Sequence, residues 1–333
     1  MIRNVLVTGA TGFVGGHLLP RLLKKGYSLT CLVRSREKAG LLCEEYPVKT
    51  IIGDITVPES LKGISKDIDY VVHLAAMGHV SAVTEESYRS FVGINETGTG
   101  NLINEFSGSP SLKRFIHFSS TAAMGPIGLP VLCEDSVPNP LTPYQKSKQR
   151  SEQIVLDACK GKNFPGLILR PCMIYGPGGY GEFYKFCRLM KKGVFPKVGL
   201  GKNLTPLVYV EDVVSAAASA LTCGRPGETY IVASETSIPM DELHRLILSG
   251  IGTKAPYIYV PGWMALAGAK VIEWTFPLLG KEPVVTYRNI KSTITDRTFD
   301  ISKAKRELGY IPRCSFADGV RQTIDWYKSQ RKI

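Results

Sequence analysis

The sequence predicts an α/β protein of the Rossmann type: a doubly wound parallel sheet with a smaller, mostly helical C-terminal substrate lobe. Its 333 residues are 44% hydrophobic and 21% charged, which is typical of globular chains and excludes collagen-like and disordered classes. Nearly continuous apolar runs alternate with helix-length segments up to residue 175, as in parallel sheets that are covered on both faces. A glycine-rich turn follows the first apolar run.

The apolar runs are rich in β-branched residues, which favours strands. Six strands are predicted at 2–8, 28–34, 48–52, 69–76, 114–120 and 166–171, and helices at 13–25, 36–46, 84–107 and 143–160. After these come a loop and helix (176–193), a strand and helix (207–221), a strand (227–234) and an amphipathic helix (316–330). We therefore predict a dinucleotide-binding domain at 1–175, to which 207–235 returns. The substrate lobe would comprise 176–206 and 236–333.

The turn TGATGFVG at 8–15 places Gly9, Gly12 and Gly15 between a strand and a helix. Gly9 permits the tight turn, Gly12 lets the backbone approach a pyrophosphate, and Gly15 lets the helix pack on the strand. The helix N-terminus then offers free N–H groups to phosphates. An ordinary turn between a strand and a helix is the alternative, and the position directly after the first strand favours the dinucleotide.

Cofactor choice is predicted from the end of the second strand. Proteins of this fold that prefer NAD usually carry a carboxylate there, which binds the ribose 2′-hydroxyl. This chain has Arg34 instead, and a guanidinium can bind a 2′-phosphate through paired hydrogen bonds. We therefore predict NADP as the cofactor, with NAD as the alternative, since Arg34 could also stack on adenine or lie in solvent.

Tyr144 and Lys148 in TPYQKSK are four residues apart, so they share one helix face. Thr142 as N-cap, Pro143 at the first position and Gln145 as the second half of a capping box predict a rigid helix start. A nearby cation is what a tyrosine needs for acid–base work, because its ordinary pKa near 10 is too high. Taken alone, the pair could equally be exposed residues of a surface helix.

A hydroxyl cluster ends the fifth predicted strand, at the sheet edge where ligands bind in this fold. Ser119, Ser120 and Thr121 form it. A hydroxyl there could orient a substrate oxygen beside Tyr144. Any one of the three could instead only cap the strand.

These residues, together with further motifs, follow one another along the chain in the order that is typical of a known family. The motifs are TGATGFVG, GDIT (53–56), HLAA (73–76), Asn95, FSST (118–121), YQKSK (144–148), RPCMIYGPG (170–178), VYVEDV (208–213) and the tail 300–320. The chain resembles an extended short-chain dehydrogenase/reductase over essentially its whole length. The resemblance implies an NAD(P)-dependent enzyme with this fold.

The resemblance also implies roles for single positions. Tyr144 would be the acid–base residue, Lys148 its electrostatic partner and ribose ligand, Thr121 the catalytic hydroxyl, and Asn95 a support of the active site. The cofactor would be bound by Gly9, Thr11, Gly12, Phe13, Val14, Gly15, Arg34, Asp54, Ile55, Leu74, Ala75, Ala76, Ser119, Tyr144, Lys148, Pro171 and Ile174.

Within the family, nucleotide-sugar enzymes commonly place an arginine just before the VYVEDV strand, where this chain has Leu204, Thr205 and Pro206. The segment 258–286 resembles members that act on hydrophobic alcohols, such as 3β-hydroxysteroid dehydrogenases and sterol 4-carboxylate 3-dehydrogenases, with dihydroflavonol reductases as near relatives. We therefore predict a secondary alcohol or ketone of steroid-like character as substrate, with decarboxylation to follow if the substrate is a sterol acid. A nucleotide-sugar epimerase or dehydratase and a non-catalytic dinucleotide-binding scaffold are the alternatives. Predicted substrate contacts are His79, Met124, Tyr180 and Tyr184, with core packing as the alternative for each.

Charge and cysteine usage give the remaining expectations. The net charge is +12, but the basic residues are dispersed without an aromatic recognition motif, so nucleic acid is not expected as a partner. Eight cysteines lack the spacing of a zinc site, which indicates free thiols, a reducing compartment and no metal. No signal peptide is recognised, and a cytoplasmic location with peripheral membrane contact is consistent with the pattern. The family resemblance implies a homodimer through 84–107 and 143–160.

Overall fold

A seven-stranded parallel sheet with helices on both faces forms the centre of the protein, as predicted. The computed structural model describes residues 3–78, 84–126, 128–193, 197–253, 259–276 and 287–333. The strands of this sheet are β1 (Arg3–Thr8), β2 (Tyr27–Val33), β3 (Lys49–Ile52), β4 (Tyr70–His73), β5 (Arg114–Phe118), β6 (Gly166–Pro171) and β11 (Thr229–Val232). Their order across the sheet is β11-β6-β5-β4-β1-β2-β3, which places the carboxyl ends of β1 and β4 side by side.

Helices connect these strands and fill the second half of the chain. They are α1 (Phe13–Lys24), α2 (Arg36–Glu45), α3 (Glu85–Ser90), α4 (Gly98–Phe106), α5 (Pro143–Lys162), α6 (Glu182–Lys191), α7 (Val210–Ala220), α8 (Met240–Ile251), α9 (Gly262–Thr275), α10 (Tyr287–Ile294), α11 (Ser302–Leu308) and α12 (Phe316–Ser329). A π-helical stretch, Phe91–Thr97, joins α3 to α4. The helix predicted over 84–107 is therefore present, but with a wider turn at its centre.

Alternate residues of each strand enter two separate cores. Val5 and Val7 of β1 pack on one face, with α1 and α7, while Leu6 packs on the other, with α4 and α5. Both sets are fully buried, which explains why the strands have nearly continuous apolar sequences rather than alternating ones.

Three pairs of short strands connect the sheet to the C-terminal lobe. They are β7 (Met173–Tyr175) with β10 (Leu207–Tyr209), β8 (Lys197–Val198) with β13 (Tyr259–Val260), and β9 (Leu204–Thr205) with β12 (Ile238–Pro239). The lobe has its own core, in which α6, α8 and α12 pack together. Phe299, Ala304 and Tyr310 of the tail pack instead in the core of the large sheet, so the chain passes between the two units more often than the predicted boundaries describe.

Neither a membrane-spanning helix nor a metal cluster is found among the described residues. None of the described helices is both long and apolar enough to cross a bilayer. Within the same residues, no group of three or more His, Cys, Asp or Glu side chains could hold a metal ion.

Two histidines lie side by side at the centre of the sheet. His73 of β4 is in register with His117 of β5, and their ring centroids are 5.4 Å apart. Thr8 Oγ1 lies 2.8 Å from His73 Nδ1, and Thr99 Oγ1 lies 3.0 Å from His73 Nε2. Ser151 Oγ lies 2.9 Å from His117 Nε2. Each ring therefore joins the sheet to a helix.

Hydroxyl partners determine which ring nitrogen of each histidine carries a hydrogen. The hydroxyls of Thr99 and Ser151 already donate to backbone carbonyls of their own helical segments, so each accepts a hydrogen from the Nε2 of its histidine. Burial, reinforced by the charge of Lys148, lowers the pKa of His73 to about 3 and that of His117 well below its usual range. Burial therefore favours the neutral imidazole at both positions.

This neutrality predicts a specific loss of stability in acid. Below the ordinary histidine pKa of about 6.5, the unfolded chain takes up protons that folded His117 cannot, so the free energy of unfolding falls by about 1.4 kcal/mol per pH unit for that residue. His117→Gln preserves a donor toward Ser151 but does not titrate. We expect urea unfolding between pH 7 and pH 5 to show a shallower pH dependence for this variant than for wild type.

His17 provides the matched control. Burial lowers its pKa, but hydrogen bonds with the Glu211 carboxylate and the Pro177 carbonyl raise it above the usual value overall. Its stabilising contribution is therefore present in acid and lost as the pH rises. His17→Gln should consequently not reduce the pH dependence of the free energy of unfolding between pH 7 and pH 5. If the free energy of unfolding showed the same pH dependence in wild type and His117→Gln, the assignment of a neutral buried His117 would be contradicted.

Candidate active site

The turn after β1 packs too tightly to accept a side chain at Gly9 or Gly15. Gly9 has φ +71°, and a Cβ there would lie 2.7 Å from the amide nitrogen of Ala75. A Cβ on Gly15 would lie 2.3 Å from the carbonyl oxygen of Ala10. Both distances are below contact, so the close packing of α1 on the strand ends requires glycine.

The edge of the sheet beside this turn fits a dinucleotide. Helix α1 begins at Phe13 after Gly12, without a side-chain cap or an acidic residue in its first turn, so its first N–H groups are available to a phosphate. The buried hydroxyl of Ser119, at the end of β5, has no hydrogen-bond partner among the described residues. A partner from a ligand would satisfy it.

The other predicted cofactor positions lie along the same edge. Leu74 N donates to the Thr8 carbonyl and Ala75 N to the Thr8 hydroxyl, so the HLAA segment is fixed against β1. Ile174 of β7 is half-buried, and Pro171, the last residue of β6, is buried. Thr11 and Ala76 are exposed and Val14 is half-buried.

A cavity of ≈ 500 Å³ lies at the end of the second strand. Arg34, Asp54 and Arg89 are among the side chains that line it. The Asp54 carboxylate accepts hydrogen bonds from the amide and hydroxyl of Thr56, both at 2.8 Å. These bonds stabilise the turn at 54–56. The Ile55 side chain is buried against α4, where it packs on Gly98.

Helix α5 begins as predicted. The Thr142 hydroxyl accepts from Gln145 N at 3.2 Å, and the Gln145 side-chain oxygen accepts from Thr142 N at 3.1 Å. Pro143 occupies the first turn. This capping box fixes the backbone that carries Tyr144.

The Tyr144 hydroxyl lies near the side chain of Ser120, whose hydroxyl favours the ionised phenol. The phenol ring packs against Phe91, the first residue of the π-helical stretch, with centroids 5.8 Å apart. Burial raises the pKa of Tyr144, and the Ser120 hydroxyl partly opposes that rise. The neutral phenol is therefore the form that this structure favours.

Lys148 lies one turn further along α5 and is buried. Its Nζ donates to the carbonyl oxygen of Phe118 at 2.6 Å, which holds the ammonium at the end of β5. Burial lowers the pKa of Lys148 to about 8, while the charge of Glu152 acts in the opposite direction. The carboxylate of Glu152 is itself paired with Arg170 of β6 through two hydrogen bonds of 2.8 and 2.7 Å.

Asn95, in the π-helical stretch, is hydrogen-bonded to two segments of the predicted site. Its side-chain oxygen accepts from Met77 N at 2.7 Å, and its Nδ2 donates to Ser147 Oγ at 2.9 Å. Ser147 Oγ in turn donates to the carbonyl of Tyr144 at 2.9 Å. Asn95 thus joins the segment after β4 to the first turn of α5.

Sequence reasoning named Ser120 only as a member of the hydroxyl cluster, and it did not name Phe91 or Ser147. The structure places Ser120 near Tyr144, whereas Thr121 begins the short helical turn after it. A usable signal was present in α5, where residues 147, 148, 151 and 152 are polar at the spacing of one helix face.

The predicted substrate contacts lie in different environments. Met124 is fully buried in the core of the large sheet, so no surface of it is exposed to a ligand in this structure. Tyr180 and Tyr184 form an aromatic cluster with Trp326 and Tyr327 of α12. His79 lies outside the described residues.

The segment that leads into Tyr144 is tied to the turn of Ser120 and exposes apolar side chains. Gly125 has φ +70°, and the Asn139 carbonyl oxygen lies only 2.0 Å from where a Cβ on it would be. Asn139 N donates to the Met124 carbonyl at 2.7 Å. Exposed apolar residues of this segment are Leu129, Val131, Val137 and Leu141.

Comparison with known proteins places this geometry in a family. The model of the NAD dependent epimerase/dehydratase family matches residues 5–233. The chain is 30% identical to a dTDP-D-glucose 4,6-dehydratase from Dictyostelium discoideum, covering 99% of this chain and 82% of the relative. It is 29% identical to a 3-beta-hydroxysteroid dehydrogenase from Mycolicibacterium neoaurum, covering 97% and 91%.

A solved structure agrees with these relatives. The crystal structure of gox2253 is 30% identical and superimposes with a TM-score of 0.81 over 99% of both chains. The expected resemblance is confirmed: the chain belongs to the NAD dependent epimerase/dehydratase family of extended short-chain dehydrogenases/reductases and is an NAD(P)-dependent enzyme.

Proposed function

We propose that this enzyme is an NADP-preferring oxidoreductase that interconverts a hydrophobic secondary alcohol, of steroid-like size, and its ketone. The observation that carries the proposal is the placement of Tyr144 on the capped first turn of α5, packed on Phe91, with buried Lys148 fixed one turn away at the end of β5. This arrangement holds a proton on a rigid phenol beside the edge of the sheet that fits a dinucleotide.

Each residue has a distinct task in this proposal. The Tyr144 hydroxyl exchanges a proton with the substrate oxygen, and Ser120 orients that oxygen by a second hydrogen bond. The Lys148 ammonium stabilises negative charge that develops on the tyrosine, because a cation in a buried site acts strongly on a nearby anion. A bound nicotinamide supplies the acceptor or donor of the hydride.

Ser120, rather than Thr121, is proposed as the catalytic hydroxyl. Its Oγ accepts from Ala122 N at 3.1 Å, which fixes the side chain in addition to its contact with Tyr144. This proposal differs from the family resemblance, which implies Thr121, the third position of the triplet, as the catalytic hydroxyl.

Three observations support an apolar substrate. The segment before Tyr144 exposes Leu129, Val131, Val137 and Leu141, and Met173 of β7 is also exposed near the predicted nicotinamide end. Residues 204–206, directly before β10, include no arginine, whereas nucleotide-sugar members of the family commonly carry one there. A relative named as a 3-beta-hydroxysteroid dehydrogenase aligns with nearly the whole chain. Tyr180 and Tyr184 stay predicted substrate contacts, whereas Met124 is buried and has no surface for a ligand in this structure.

The reaction class is tested with Tyr144→Phe. We expect wild-type turnover on a panel of 3β-hydroxysteroids, flavonoids and aliphatic alcohols, followed by nicotinamide absorbance with both cofactors. Removal of the proton-exchanging hydroxyl should lower kcat by about 10²–10⁴-fold. Interconversion of UDP-hexoses without net cofactor reduction, together with no turnover on the alcohol panel, would instead favour the sugar-nucleotide alternative. Cofactor binding without any turnover would favour the scaffold.

The choice between the two hydroxyls is tested by a matched pair of variants. Ser120→Ala should lower kcat by about 10²-fold or more, because a positioned donor to the reacting oxygen is lost. Thr121→Val, which keeps shape and removes a hydroxyl, should change kcat by less than about threefold. A large loss in Thr121→Val with an active Ser120→Ala would restore Thr121 to the catalytic role.

Cofactor preference is tested at Arg34. Removing a guanidinium that binds the 2′-phosphate costs one or two charge-assisted hydrogen bonds, so Arg34→Ser should raise KM for NADP by about 10–100-fold. KM for NAD should stay within about threefold. The exposed Lys38 on α2 provides the control, since Lys38→Ser removes a positive charge from the helix that follows Arg34 without affecting the strand end. Equal effects of Arg34→Ser on both cofactors would contradict the proposed NADP preference.

A further inference from the structure

Helix α9 exposes an apolar face that no described residue covers. Trp263 and Trp274 are 73% and 74% exposed, and Met264 and Val271 are 49% and 59% exposed. In the whole helix only Ala269 is buried. Large apolar side chains exposed together mark interaction surfaces in folded proteins.

The exposed residues lie on one side of the helix. Trp263 and Trp274 are eleven positions apart, which is about three turns, so they are nearly aligned along the axis. Met264 and Val271 lie next to them on the same side. Lys270 lies at the margin of this face, and its Nζ is 5.0 Å from the ring centroid of Tyr287. Such a helix can rest its apolar face in a lipid headgroup region while the lysine stays in water.

More than half of the net positive charge of the sequence lies in two segments, one that contains this helix and one that contains the strand paired with β13. Strand β13 precedes α9 directly and pairs with β8, which follows α6, and α10 packs along α9. The segments 182–202 and 259–294 carry ten basic and three acidic residues, a net charge of +7 out of +12 for the whole chain. Basic residues beside an apolar helix face are complementary to an anionic bilayer.

Two of these three acidic residues are engaged within the protein. Glu182 is paired with Lys185 at 2.8 Å, and the Glu273 carboxylate accepts from Tyr287 N at 3.1 Å. Lys191, Lys192 and Lys202 are exposed. The charge available to an outside partner around α9 is therefore strongly positive.

We propose that α9, with the basic side chains around it, is a docking surface for an anionic lipid bilayer. The helix lies in the headgroup region with Trp263 and Trp274 as anchors, and no part of it crosses the membrane. A symmetric contact with a second copy would bring the same positive segments against each other, which charge repulsion opposes. The proposal is independent of the substrate.

The test measures binding of the full chain to vesicles of phosphatidylcholine with and without phosphatidylserine. We expect sedimentation with the anionic vesicles, weaker at high salt because the charges are screened. The double substitution Trp263→Ser and Trp274→Ser should weaken binding at least about tenfold, since two apolar anchors are lost. In a Trp326→Phe background, the fluorescence of the two remaining tryptophans should shift to shorter wavelength on binding.

The control removes two exposed apolar side chains elsewhere. Leu41 and Ile311 are 59% and 60% exposed, and Leu41→Ser with Ile311→Ser should bind vesicles like wild type. Hydride transfer by the Trp263/Trp274 variant in vesicle-free buffer should be unchanged, which separates failure of this proposal from failure of the proposed function.

Three results would overturn the proposal. One is absence of binding to anionic vesicles by the folded protein, and another is equal binding to neutral and anionic vesicles. The third is a change from dimer to monomer in the Trp263/Trp274 variant without a change in vesicle binding, which would assign this face to contact between two copies.

Discussion

The buried polar face of α5 is the constraint on which the site depends. Ser147, Lys148, Ser151 and Glu152 are all buried on this one helix. Because an unsatisfied buried polar group costs about 1–3 kcal/mol, and a charged one more, each requires a partner at a fixed place. The partners come from the π-helical stretch, from the ends of β5 and β6, and from the centre of the sheet. The helix that carries Tyr144 is thereby held by polar contacts along half its length.

Those partners form a continuous path toward the glycine turn. Thr8 O–H donates to His73, His73 donates to Thr99, and Thr99 donates to the carbonyl of Asn95. These directions follow from the assigned Thr99 donor together with a neutral His73 ring, whose Nδ1 then accepts. Since Thr8 immediately precedes Gly9, the residue that begins the cofactor turn and the asparagine that supports the catalytic helix belong to one network.

Much of the fold and part of the site were accessible from sequence. The strands, the Gly9–Gly15 turn and the start of α5 follow from local rules, in which a few neighbouring residues determine the backbone. The π-helical turn at 91–97 was not predicted, because the same apolar spacing suits an ordinary helix. Its contacts with Tyr144 and Ser147 join segments that are distant in the sequence. Contacts between distant segments, such as Glu152 with Arg170, likewise depend on the register of the sheet. Counting along FSST could not decide which hydroxyl reaches Tyr144, because the backbone turns at Ser120.

The close contact of Gly125 with Asn139 has a consequence for how this enzyme can be altered. It closes the base of the segment between the Ser120 turn and Tyr144. Within this segment Leu132 pairs with Phe299 and is buried in the core of the large sheet, and the Glu134 side chain accepts from Ile231 N at 2.8 Å. The exposed residues that precede these anchors can be exchanged while the proton-transfer pair keeps its geometry. Substitution of residues 128–131 is therefore a route to new alcohol specificity on an unchanged catalytic scaffold.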